Sequence, residues 1–168
     1  MKRPEPTEYS PFHAGYIERA NDNILEELEQ QATAIPDFLR SIPEEKHDFS
    51  YAPDKWTLKQ LVGHLTDTER IMAYRLLRFS RKDSTPLPGF EENFYVDNSN
   101  FLNSSFYELA DEFAAVRQGN LFLFRSLKDE QLDLYGEANG NALSVRALLF
   151  ILSGHLKHHV QIIKDRYL

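Results

Sequence analysis

The chain has 168 residues, of which 42% are hydrophobic and 27% charged, a balance typical of a globular protein with a single buried core. It contains no cysteine, which excludes disulfides, zinc ribbons, iron–sulfur clusters and a cysteine nucleophile. Its 19 basic and 26 acidic residues give a formal charge of −7 without a basic stripe, so nucleic acid is not an expected partner.

The N-terminus, MKRPEPTEYSPFH, is polar and proline-rich and lacks the apolar segment of a secretory signal. The longest uninterrupted apolar run, Ala147 to Leu152, is far too short to span a bilayer. We therefore expect a cytoplasmic protein without membrane contact, folded as one domain over residues 1–168.

Apolar residues recur mostly with the 3.6-residue period of helices, and extended alternation is scarce, so the pattern predicts an all-α fold. The first long helix is predicted from about Asp22, a plausible N-cap, to about Ile42, and Pro36 is expected to kink or split it. The second begins after Thr57 and includes LKQLVGHLTDTERIMAYRLLRFSR. A long connection over residues 82–100 follows, and such loops often cover a site or pack against a bundle end.

The third helix is predicted to start at Ser105, which with Glu108 fits a capping box, and to end near Leu127. After the turn-rich stretch YGEANGNALS, Ser144 is predicted to cap the last helix, which reaches the end of the chain. Four long helices with intervening loops favour a four-helix bundle, with the long connection between the second and third helices.

Three of the six histidines lie in the last predicted helix, and their phases differ. Each helical residue advances about 100° around the axis, which places His159 at about −60° and His155 at about −100° from the centre of the apolar stripe. His158 falls near −160° and is predicted to point away. On the second helix His64 lies at about −60° from the centre of its own stripe.

An i, i+4 pair of imidazoles facing a single histidine on another helix would form a three-nitrogen metal site with open coordination positions. We therefore predict His64, His155 and His159 as metal ligands, although an isolated HxxxH pattern is as typical of packed histidines. Three imidazoles suit zinc, nickel, copper or iron. The HExxH, G-x-S-x-G, P-loop and dinucleotide-binding patterns are absent.

Four other residues border this predicted site. Asp67 and Thr68 are candidates to orient an imidazole or line the pocket, and Asp67 is alternatively a solvated helix acid. Arg75 is predicted to form an internal salt bridge or to meet the acidic group of a substrate. Trp56 is predicted to be a packing anchor. The histidines at 13 and 47 receive no predicted role.

Two stretches of the sequence resemble the DinB-like (YfiT-like) helical-bundle family. They are APDKWTLKQLVGHLTDTERIMAYRLLRFSRKDSTPLPGFEENFYV, in which Trp56 and Thr57 precede His64, and LSVRALLFILSGHLKHHVQIIKDRYL, with its terminal HLKHHVQI. The resemblance covers the chain from about residue 20 to the end. It implies a bundle of four long helices, often dimeric, with nickel or zinc bound by His64, His155 and His159.

The resemblance also implies a metal-dependent enzyme acting on small molecules, either a transferase for a low-molecular-weight thiol such as bacillithiol or a related hydrolase. The missing cysteine is consistent with a thiol brought in by a cosubstrate. The alternative is a non-catalytic bundle that binds a small molecule or serves in a stress response, with a structural or vestigial metal site.

Overall fold

The computed structural model describes residues 1–168 and is predominantly helical. Its helices are α1 (Ala14–Arg19), α2 (Ile24–Arg40), α3 (Leu58–Ser80), α4 (Glu92–Asp97), α5 (Phe106–Arg125), α6 (Asp129–Leu132) and α7 (Val145–Ile162). A wider, π-helical turn, Ile163–Tyr167, prolongs α7 to the penultimate residue, and two short strands, β1 (Tyr135–Ala138) and β2 (Asn141–Ser144), precede it. None of the helices is long and apolar enough to cross a membrane.

The four long helices α2, α3, α5 and α7 form the predicted four-helix bundle. Helix α2 packs on α5 and α7, and α3 packs on the same two helices, so α2 and α3 occupy diagonal corners. The predicted fold is confirmed, and this order makes α3 and α7 neighbours. Their contact is the one that the metal hypothesis requires, because the candidate ligands come from these two helices.

Side-chain caps define where three of the long helices begin. Thr57 Oγ1 accepts a hydrogen bond from the Gln60 amide at 3.3 Å, and the Gln60 side chain accepts one from the Thr57 amide at 2.9 Å. The Ser105 amide donates to Glu108 at 3.1 Å, and Ser144 Oγ accepts from the Ala147 amide at 2.9 Å. These contacts satisfy amides that have no partner within the helix. All three predicted starts are therefore confirmed.

Helix α2 differs from its prediction at both ends and at its proline. Asn23 rather than Asp22 occupies the N-cap position, and the helix ends at Arg40. Pro36 lies inside the helix without splitting it. Pro36 is buried against neighbouring elements, and tertiary packing of that kind offsets the one backbone hydrogen bond that a proline removes.

The stretch YGEANGNALS, predicted only as turn-rich, forms an antiparallel hairpin of β1 and β2. Asn139 and Gly140 connect the strands with φ of 53° and 69°. An Asn-Gly pair is the sequence typical of a two-residue hairpin turn in which both residues have positive φ. The hairpin also holds the preceding connection, because the Leu87 amide donates to the Glu137 carbonyl at 2.9 Å and the Asn139 amide donates to the Leu87 carbonyl at 3.0 Å.

The N-terminal segment, residues 6–20, packs along α7 through helix α1 and two short turns that precede it. The closest approach is at Gly154, where a methyl group would lie 1.8 Å from the Tyr16 carbonyl oxygen. Only glycine allows the two backbones to come this near. The contact fixes the N-terminal segment over α7 one residue before His155.

The interior of the bundle contains two apolar clusters rather than one continuous core. Val145 and residues 147–152 of α7 belong to one cluster, and Leu156 and, in the π-helical turn, Ile163 belong to the other. Between them Ser153 and His155 are buried, and hydrogen bonds through Gln31 connect Ser153 to the buried Arg117 of α5 and Glu69 of α3. The molecule therefore has a polar layer across its middle, and every group in that layer requires a partner.

Candidate metal centre

The structure brings the three predicted ligands together. His64 projects from α3, and His155 and His159 project from successive turns of α7. The Nε2 atoms of His64 and His155 are 3.1 Å apart, and one nitrogen from each ring lies within 4.8 Å of the others. The three rings, called here the histidine triad, have centroids 4.5 to 5.1 Å apart.

Burial keeps the triad uncharged at neutral pH. Removal from water lowers the pKa of His64 to about 4 and that of His159 to about 3, the latter also through the neighbouring imidazoles. The same causes hold the pKa of His155 well below its usual value. A neutral imidazole presents a free lone pair, which is the form that binds a metal.

The geometry of the triad fits a divalent metal ion. Two imidazole nitrogens bound to a tetrahedral zinc at about 2.05 Å would be about 3.3 Å apart, close to the 3.1 Å separation of His64 and His155. Nδ1 of His159 is buried without a hydrogen-bond partner, and so is the hydroxyl of Thr68, one turn after His64. Unpartnered polar atoms are unfavourable in a core and are typical of a site that binds a ligand.

In the metal-free protein, the free energy of unfolding is expected to fall as the pH decreases from 6.5 to about 4. The unfolded chain protonates these imidazoles near pH 6.5, whereas the folded chain resists protonation until the pH is much lower. The stabilisation is thus fully present above pH 6.5 and is lost on acidification. Urea unfolding at several pH values measures it.

The matched comparison for this pH dependence is His64→Gln. This substitution keeps a polar side chain but removes one imidazole whose pKa is lowered in the folded protein. Its free energy of unfolding should decrease less steeply with acidification than that of the parent, since other acidic groups contribute equally to both. Identical slopes in the two proteins would contradict the assignment of neutral, desolvated imidazoles.

A cavity of about 160 Å³, called here the histidine cavity, opens beside the triad. Most of its other walls come from segments distant in sequence: Phe12, His13 and Tyr16 from the N-terminal segment, Phe90 and Glu92 from the connection, and Trp56 from the residues preceding α3. The Tyr16 ring meets His155 edge-on at 5.3 Å, and the Trp56 ring lies 4.7 Å from His64. These walls shield the triad from bulk water while leaving one side open.

Glu92 is the acidic residue that lines this cavity, and nothing in its sequence context distinguishes it from other helix acids. It lies in the first turn of α4, where acidic residues are common for helix stability alone. Burial raises the pKa of the Tyr16 hydroxyl, and the negative charge of Glu92 raises it further. Glu92 therefore acts electrostatically on the ring that contacts His155.

His13, for which no role was predicted, also lines the histidine cavity. Its Nδ1 is buried without a hydrogen-bond partner. Burial lowers the pKa of His13 to about 4, and the charge of Arg75 contributes to this decrease. Its segment has no helical periodicity, so phase analysis could not place it.

His158 does not belong to the triad, as predicted, but it does not point into solvent. It is half-buried, its ring lies 5.5 Å from that of Tyr16, and it lines the histidine cavity. In a bundle formed by the four long helices alone, the His158 side chain would point away from the interior. The N-terminal segment covers that face of α7.

The two residues predicted to support the site differ in position. Thr68 lines the histidine cavity with its unpartnered hydroxyl. Asp67 instead faces Arg70, 3.6 Å away, and forms no hydrogen bond with an imidazole. Burial raises the pKa of Asp67, with Arg70 opposing that effect. Thr68 is thus part of the pocket, and Asp67 belongs to the outer side of α3.

A further cavity of about 220 Å³ lies beyond Trp56 and is called here the outer cavity. Trp56 and His159 line both it and the histidine cavity. Its remaining walls include Tyr51, Lys55 and Tyr167. The triad is therefore flanked by space on two sides. Trp56 separates these spaces in addition to anchoring the start of α3.

Fold and site together define a four-helix bundle with an open three-histidine site suited to a divalent metal. The chain belongs to the DinB superfamily, whose family model matches residues 27–163. The matched region contains all three histidines of the triad, and the family resemblance inferred from the sequence is confirmed.

Two relatives agree with this class. A protein of Oceanobacillus iheyensis described as a "putative metal-dependent hydrolase" is 24% identical over 145 residues, covering 83% of this chain and 81% of the relative. The structure of YfiT from Bacillus subtilis, described as a probable metal-dependent hydrolase with an unusual four-helix bundle topology, superposes with a TM-score of 0.74. That alignment has 17% identity and covers 86% of this chain and 83% of YfiT.

Proposed function

We propose that this protein is a metal-dependent hydrolase of small molecules, with zinc or nickel held by His64, His155 and His159. The observation that carries the proposal is the convergence of three neutral imidazoles, from two buried histidines and the half-buried His159, on a cavity that Glu92 also lines. The descriptions of the two relatives as metal-dependent hydrolases support the same reaction class.

A divalent ion held by His64, His155 and His159 would supply a Lewis acid for activating a water molecule or a thiol and polarising an electrophile. In the proposed reaction, Glu92 accepts the proton released by the nucleophile and returns it to the leaving group. Tyr16 and Trp56 exclude bulk water from the reacting atoms. The Thr68 hydroxyl donates a hydrogen bond to a polar atom of the substrate, since it has no partner within the protein.

Thiol transfer is the second proposed reaction, and the two spaces beside His159 favour it. The histidine cavity would hold an electrophile while the outer cavity accommodates the body of a low-molecular-weight thiol. The thiolate sulfur would form a bond to the electrophilic carbon, the leaving group would depart with its electron pair, and Glu92 would accept the thiol proton. The chain has no cysteine, so the sulfur must come from the cosubstrate.

The test is turnover by zinc- and nickel-loaded protein with activated esters, amides and alkyl halides, with and without added thiol. Incorporation of ¹⁸O from labelled water identifies hydrolysis, and a thioether product identifies thiol transfer. Glu92→Gln is expected to reduce kcat/KM by about 10²- to 10⁴-fold, the usual contribution of a general base.

Glu112→Gln is the control for that variant, because Glu112 is a carboxylate that pairs with Arg70 at 2.7 Å, away from the cavity. It should retain the parent activity. An absence of turnover with every electrophile in both metal-loaded forms would rule out the enzymatic proposal and leave the non-catalytic, ligand-binding alternative.

A further inference from the structure

Arg75 carries a positive charge into the protein interior near the histidine cavity. The residue is only 5% exposed, and its guanidinium group forms no ion pair with an acidic residue. The expectation of an internal salt bridge was therefore wrong. Arg75 Nη2 donates instead to the Pro88 carbonyl, in the connection after α3, at 3.0 Å.

The guanidinium group has few partners for a buried cation. Besides Pro88 it contacts the Met72 sulfur at 3.7 Å and lies 5.8 Å from the centre of the Phe90 ring. A guanidinium offers five N–H donors, and these contacts use two of them. A buried charge without a counter-charge is strongly unfavourable, so an anion that reached this group would be bound with a large gain.

Arg75 faces a cavity of about 320 Å³, called here the arginine cavity. Its polar walls include Ser10, His13, Asn139 and Asn141. The cavity is bounded by the hairpin, which the backbone bonds between Leu87 and Asn139 hold against the connection. Apart from Arg75, its walls come from three segments outside the long helices: the N-terminal segment, the connection and the hairpin.

The arginine cavity adjoins the histidine cavity. Phe12, His13 and Phe90 line both of them. Met72, which the Arg75 guanidinium contacts, also lines the histidine cavity. Arg75 lies about 16 Å from His64 along the axis of α3, and helical side chains lean towards the N-terminus, which shortens the distance to the triad. An elongated small molecule could span both cavities.

We propose that the arginine cavity binds the carboxylate of a substrate whose reactive group lies beside the histidine triad. This inference rests on the proposed function and adds a substrate class to it: small organic acids with the scissile or electrophilic bond remote from the carboxylate. A carboxylate matches the single cation in charge and its fork of donors in shape. A phosphate dianion would retain one uncompensated charge in the cavity.

The test is calorimetric titration of metal-free protein with phenylacetate, phenylacetamide and phenyl phosphate. The parent should bind phenylacetate at least about tenfold more tightly than the neutral amide, as a charge-assisted hydrogen bond implies. Arg75→Met, which preserves the apolar shape of the side chain, should bind the two equally. Arg78→Met is the control on the same helix, because Arg78 pairs with Asp83, and it should keep the preference.

Equal binding of phenylacetate and phenylacetamide by the parent, or an unchanged preference in Arg75→Met, would overturn the proposal. Tighter binding of phenyl phosphate would overturn the assignment to carboxylates. If Arg75→Met does not fold, binding is followed in the parent by the NMR resonance of the Arg75 Nε–H group. Comparison with Arg75→Lys assigns that resonance. Phenylacetate should shift it and phenylacetamide should not, and an unmoved resonance refutes the site.

These measurements separate the anion site from the metal chemistry, because they use protein without metal. Retained carboxylate preference in a protein that never turns over would contradict only the proposed function. Turnover without any carboxylate preference would contradict only the anion site.

Discussion

Replacing His155 with alanine is expected to lower the affinity for zinc or nickel by more than about 100-fold, since loss of even an outer partner of a ligand typically costs 10- to 100-fold. His155 is buried, and its Nε2 lies 3.1 Å from that of His64. Elemental analysis of purified, untagged protein, followed by competition titration with a chromophoric chelator, measures the effect.

His158→Ala is the matched control for that substitution. Its ring lies in the same cavity and on the same helix, but outside the triad, so near-stoichiometric metal should remain. The His155→Ala protein should also stay folded by circular dichroism, because two apolar clusters support the bundle on either side of the site. An unfolded variant would indicate a structural metal, and equal metal loss in both variants would refute the triad.

Replacing Arg117 with alanine is expected to reduce the free energy of unfolding by about 3–5 kcal/mol, the usual cost of removing one partner from a buried ion pair. The Arg117 side chain is fully buried, and its Nε and Nη2 atoms donate to the two oxygens of Glu69 at 2.8 and 2.9 Å. Without Arg117 the Glu69 carboxylate keeps only the Asn120 amide as a donor. Urea unfolding monitored by circular dichroism measures the loss.

Arg125→Ala provides the comparison, since Arg125 lies on the same helix and pairs with Glu29 at the surface. Its cost should be about 0–1 kcal/mol, because solvent screens an exposed pair. Replacing Arg117 and Glu69 together by methionine should recover much of the stability, since no charge then remains buried alone. Similar costs for Arg117→Ala and Arg125→Ala would contradict the structural role of the polar layer.

The same polar layer connects the bundle to the candidate metal site. Arg117 also donates to the Gln31 side chain at 2.9 Å, and Gln31 in turn donates to Ser153 Oγ at 2.9 Å. Ser153 additionally donates to Glu27 at 2.6 Å. These bonds fix the rotation of α7 two residues before His155. The charged network thereby determines which face of α7 is presented to His64.

Much of the bundle could be predicted from sequence because its determinants are local. Thr57, Ser105 and Ser144 cap helices through contacts with residues three positions away, and a capping pattern is readable without knowledge of the fold. The phases of His64, His155 and His159 are likewise properties of single helices. The apolar stripes of α3 and α7 pack against each other, so the three histidines lie at the same interface.

The Asn-Gly turn of the hairpin is also a local signal, because it depends on two adjacent residues. The four-residue strands on either side are too short for an alternating pattern to emerge. By contrast, Arg117 and Glu69 are 48 residues apart and read as ordinary helix charges. Their burial follows only from the diagonal arrangement of the helices.

The sequence alone thus determined the helices, their caps and the three histidines, because each depends on residues within one or two turns. Only the tertiary structure decided what surrounds those histidines. Tyr16 reaches His155 because Gly154 admits the N-terminal backbone, and Glu92 reaches the cavity because the hairpin holds the connection in place. Arg75 has no carboxylate partner, because the connection places the Pro88 carbonyl beside it. These contacts join segments far apart in the chain, and no periodicity within one segment encodes its distance from another.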